Sequence, residues 1–82
     1  MRHARADYDR IQDPAGLIRD DEPVFLLRGQ DVVAPAIVEK WAMVAADLGA
    51  SKEIVTAALQ QASRMRAWQM QHGHKVPDMD TP

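Results

Sequence analysis

The chain has 82 residues, no cysteine, and a formal charge of −2 from ten basic and twelve acidic side chains. A polypeptide of this size makes one domain at most and buries only about 60 to 65% of its unfolded surface; with disulfides and thiolate metal sites excluded, oligomerisation is the remaining route to extra support. The balanced charge argues against attraction to phosphate backbones or anionic lipid, and no stretch approaches the roughly 20 apolar residues of a membrane span.

Residues 1–20 mix charges with Pro14 and Gly16 and show only a fragment of periodicity, in Tyr8, Ile11, Leu17 and Ile18. That pattern predicts a flexible N-terminal segment. Its first residues, Met1-Arg2-His3-Ala4-Arg5-Ala6-Asp7, carry charge and no apolar run of the signal-peptide kind. Arg2, Arg5, Arg10 and Arg19 are neutralised by Asp7, Asp9, Asp13, Asp20, Asp21 and Glu22, so a basic arm for nucleic acid is disfavoured.

The run Val24-Phe25-Leu26-Leu27-Arg28, bounded by Pro23 and Gly29, predicts a strand of four or five residues or, alternatively, an extended strap across the helices. No second strand candidate exists in the chain, so a strand here would find its mate in the same segment of another copy. Either Phe25 and Leu27 or Val24 and Leu26 would then turn inward.

From Asp31 the pattern becomes helical. Pro35 is tolerated only in a first turn, so the helix starts between Asp31 and Pro35, with Asp31 as the available capping side chain. Ile37, Val38, Trp41, Val44, Ala45 and Leu48 form its apolar stripe, and Gly49 ends it. Gly49-Ala50 is a short link to a second, longer helix over 51–72, and so short a link predicts an antiparallel hairpin. Ser51 caps the second helix, Glu53 sits at its positive end, and Gly73 closes it. At roughly 100° per residue, Ile54, Val55, Ala58, Leu59, Ala62, Met65 and Trp68 gather on one side. Ala42, Ala45, Ala58 and Ala62 allow the two helices to approach closely. Residues 74–82 return to polar and chain-breaking types and predict a flexible tail. The expected architecture is therefore mainly α: an antiparallel helical hairpin domain over 21–73 with a short strand or strap, expected to dimerise, between flexible ends.

No nucleophile elbow, glycine-rich phosphate loop or paired carboxylates on a rigid element is present, which predicts a non-enzymatic protein without cofactor. His72 and His74, with Asp78 and Asp80 nearby, fall short of a dedicated metal site, which takes three or four ligands and a supporting shell. The chemistry on offer is that of contact. Trp41 and Trp68 are the two tryptophans, and with Phe25, Leu27, Ile54, Ala58 and Met65 they are candidates for core or dimer packing. Met43, Arg64, Arg66, Trp68 and Met70 are the candidates for binding a partner, since tryptophan, arginine and methionine dominate adaptable interfaces. A helix-turn-helix is disfavoured, because a link this short does not set the helices at the 90 to 120° of the DNA-reading unit.

The string Asp21-Glu22-Pro23-Val24-Phe25-Leu26-Leu27-Arg28-Gly29-Gln30-Asp31, followed by Ala34-Pro35, Lys40-Trp41-Ala42, Arg64-Met65-Arg66-Ala67-Trp68 and Lys75-Val76-Pro77-Asp78, resembles small accessory proteins encoded by temperate phages and prophages of Gram-negative bacteria. The likeness runs from about Asp7 onward and brings no site residues with it. It implies a protein of the host bacterial cytoplasm that binds and modulates or inhibits a bacterial host protein, in host takeover, anti-defence or superinfection exclusion. A small dimeric DNA-binding regulator and a minor virion or assembly component are the alternatives.

Overall fold

The computed structural model describes residues 2–3 and 13–78, in the order β1 (Arg2–His3), β2 (Pro23–Val24), α1 (Ala34–Asp47) and α2 (Lys52–His72). Expectations that fall on 1, 4–12 and 79–82 lie outside the described residues. The protein is mainly helical, and its two helices pack against each other as a helical hairpin.

Each helix boundary has a local cause. α2 starts where the Ser51 Oγ accepts the Ile54 amide at 3.4 Å, and Glu53 occupies its first turn. It ends at Gly73, whose φ of +85° lies in the region that glycine adopts most readily and whose N–H donates to the Gln69 carbonyl at 2.8 Å. α1 carries Pro35 in its first turn, but its N-cap is Val33, with no side-chain cap. The assignment of Asp31 as cap is thus corrected: its Oδ1 accepts from the Val33 N–H at 2.8 Å and its carbonyl from Ala34 N–H at 3.1 Å, organising the turn that leads into the helix. Proline has no N–H, so this terminus has one donor fewer to satisfy. At the other end Gly49, at φ +90°, reverses the chain; its N–H donates to Ala46 O and the Ala50 N–H to Ala45 O, the paired bonds of a Schellman motif. Replacing Ser51 with alanine is expected to cost about 1 kcal/mol, read as a lower midpoint with unchanged slope in urea unfolding.

The seam between the helices is built of small side chains. Ala34, Ala42 and Ala62 are fully buried, and Met65 is the one large apolar residue among the described core. On α2 the seam runs through Val55, Ala58, Ala62, Met65 and Gln69, alternating three and four residues apart. The single apolar stripe expected on α1 divides in two. Val38 and Ala45 join Ala34 and Ala42 toward α2, whereas Ile37, Trp41, Val44 and Leu48 are 47%, 52%, 47% and 83% exposed. Alanines on both sides let the helices come close, and at that separation the bulky side chains fit beside the seam and not within it.

The strand expectation needs correction in both length and mate. β2 has two residues and pairs in parallel with β1 of the same chain, in the register Arg2↔Pro23 and His3↔Val24. Beyond Val24 the backbone is irregular, so the alternation of a strand does not apply: Val24 and Leu27 are half-buried while Phe25 and Leu26 are exposed. The segment behaves as a strap, tied down at its far end. Asp31 and Lys75 form a parallel bridge, with Val32 N–H donating to Lys75 O at 3.0 Å and Lys75 N–H to Gln30 O at 2.9 Å. The chain after Gly73 therefore returns to the entry of α1. Ahead of the strap, Asp13 accepts the Leu17 and Ile18 amides on its two carboxylate oxygens and closes a turn through Gly16.

Candidate interaction surface

The strap crosses α2 near its C-terminal half and leaves a cleft of about 330 Å³ between the two. Leu27, Arg28, Gly29 and Gln30 form one wall, and Gln61, Arg64, Met65 and Trp68 the other. Helical spacing explains the second wall, since positions 61, 64, 65 and 68 share one side of α2. Trp68 is 42% exposed there. Its indole stacks on the His72 ring one turn later, with centroids 4.4 Å apart and planes 20° from parallel. His72 Nδ1–H donates to the Trp68 carbonyl at 3.1 Å and so holds the imidazole over the indole. Arg64, which also lines the cleft, donates to Gln61 Oε1 at 3.2 Å.

Gln69 fixes the strap to α2. Its side-chain amide donates to Gly29 O and to Asp31 O, each at 2.9 Å, satisfying two carbonyls of a turn that has no ladder of its own. It was missed in the sequence, although one signal was present: Gln69 is a polar residue falling on the otherwise apolar seam of Ala62 and Met65. A second link was also unforeseen, as Arg66 donates to Glu39 Oε1 and bridges the helices on the side away from the cleft.

The predicted positions therefore separate. Leu27, Arg64, Met65 and Trp68 come together at the cleft. Arg66, two residues from Arg64, faces the opposite side of α2 and is engaged with Glu39. Met43 and Met70 are exposed on other faces, Met70 at 89%. Phe25 lies exposed on the strap, Trp41 and Ile54 are about half exposed on the helices, and Ala58 is half-buried in the seam. Among the described residues, no group of three or more His, Asp or Glu could hold a metal ion, and no helix is long and apolar enough to cross a membrane. Comparison with protein-family models, with curated proteins and with solved structures produces no match.

Proposed function

We propose that the chain is a non-enzymatic interaction protein whose antiparallel helical hairpin dimerises and binds another protein through the strap side of α2. The observation that carries this reading is the Trp68 cleft: a half-exposed indole, held by His72, in a cleft lined also by Leu27, Met65 and Arg64. Such a site suits an apolar side chain of a partner followed by a carboxylate, with burial supplying affinity and the charge supplying register. The antiparallel orientation is supported by Gln69, near the end of α2, reaching Gly29 and Asp31 at the start of α1. Following the resemblance to phage accessory proteins, the partner is a bacterial host protein whose activity the chain modulates or inhibits.

The test is affinity purification from bacterial lysate with the wild type, Trp68→Ala and Arg64→Glu. Wild type should retain a partner that both variants lose by at least about tenfold, the loss typical of a truncated interface anchor. Identical recovery by all three proteins would remove the cleft from the reading.

A further inference from the structure

We infer that the uncovered face of α1 is the contact between two copies of this chain, with the two α1 helices packed antiparallel about a two-fold axis. This deepens the dimer reading above and rests on it. Ile37, Trp41, Val44 and Leu48 follow one another at spacings of four, three and four residues, which is the seam pattern of a coiled coil. All four are 47% exposed or more, although the same helix already spends its alanine face on α2. At about 1.5 Å per residue the stripe is about 16 Å long. Ile54, 47% exposed at the start of α2, extends the apolar surface. The Arg66–Glu39 link marks the opposite side of the hairpin, so the stripe and the ion pair do not compete for space.

The stripe is complementary to itself when reversed. With the axis between Trp41 and Val44, each Trp41 meets the smaller Val44 of the other copy, and each Ile37 meets a Leu48. Lys40 and Asp47 lie exposed along one edge of the stripe, one heptad apart. In the reversed arrangement each Lys40 faces the Asp47 of the other copy, giving two opposite-charge pairs. A parallel pairing would instead set the indoles against one another and bring no opposite charges of α1 together. Packing two hairpins by this face yields a four-helix bundle.

The experiment is light scattering at micromolar concentration combined with cysteine cross-linking in a chain that has no cysteine of its own. Wild type and Trp68→Ala should both measure as two chains, and Val44→Glu as one chain with its helix signal retained. Lys40→Asp and Asp47→Lys should each weaken the dimer by at least about fivefold, and the double variant should restore it. These exposed positions keep the test readable if Val44→Glu fails to fold. A mixture of Ile37→Cys and Leu48→Cys should form a disulfide between copies, whereas neither variant should do so alone. A wild-type dimer unaffected by Val44→Glu and by both charge reversals would overturn the α1 contact while leaving the dimer reading intact. A wild-type monomer would overturn both. Cross-linking of Ile37→Cys with itself would overturn the antiparallel pairing.

Discussion

Ala62→Leu is expected to destabilise the hairpin by about 1 to 3 kcal/mol, and by more if the seam cannot open. Ala62 is fully buried opposite a helix that presents Ala34 and Ala42, also fully buried, so three added carbons have no void to enter. The helices would have to separate, and the close approach is what brings Met65 into the core. For a chain of this size each kcal/mol is about 4 to 8 °C in the unfolding midpoint, so the shift should be plain in a thermal melt. Ala57→Leu is the control: it adds the same atoms on the same helix at an exposed position. It should leave the midpoint within about 0.5 kcal/mol of the wild type. If the two variants melted together, the alanine seam would not be the packing that determines helix separation.

Gln69→Ala is expected to release the strap while leaving both helices formed. The side chain bonds Gly29 O and Asp31 O at once and is the side-chain link between this turn and α2. Losing both bonds should cost about 1 to 3 kcal/mol, because Gly29 O must then find water in a partly covered site while Asp31 O keeps only the Ala34 N–H. Hydrogen exchange reads the consequence locally. The Val32 and Lys75 amides, which hold the bridge between the strap and the returning chain, should exchange at least about tenfold faster, while amides of the α2 interior should not change. Gln69→Glu should behave no better than alanine, since a carboxylate offers no donor to the two oxygens. Unchanged exchange at Val32 and Lys75 would mean that the bridge, and not Gln69, carries the strap. Release of the strap would also dismantle one wall of the Trp68 cleft, linking this stability measurement to the proposed binding site.

What could be read from the residues in order was whatever depends on near neighbours. Ser51, Gly49, Gly73 and Pro35 mark the helix ends because a hydroxyl acceptor, two left-handed glycines and a missing N–H act over one turn of chain. The two helices and their seam alanines follow from the same local logic, since period and side-chain size are properties of a segment. The strand expectation failed for a related reason: a run of apolar residues carries no information about its mate, and the one β2 takes is twenty-one residues earlier. The cap was placed two residues early, at Asp31, because an aspartate can organise the approach to a helix as readily as the helix itself.

The remaining features arise between distant parts of the chain. Whether Ile37, Trp41, Val44 and Leu48 face the core or solvent depends on which side of α1 the second helix occupies, and the pattern shows one broad stripe without saying which part of it is covered. The Gln69 clamp, the Arg66–Glu39 link and the Lys75 bridge join residues 27 to 44 positions apart, beyond the reach of any periodicity. The cleft at Trp68 exists because the Gln69 clamp places the strap against α2. Local chemistry sets where helices begin and end; the choice of buried face, and with it the surface left for a partner, comes from how closely two alanine-lined helices can pack.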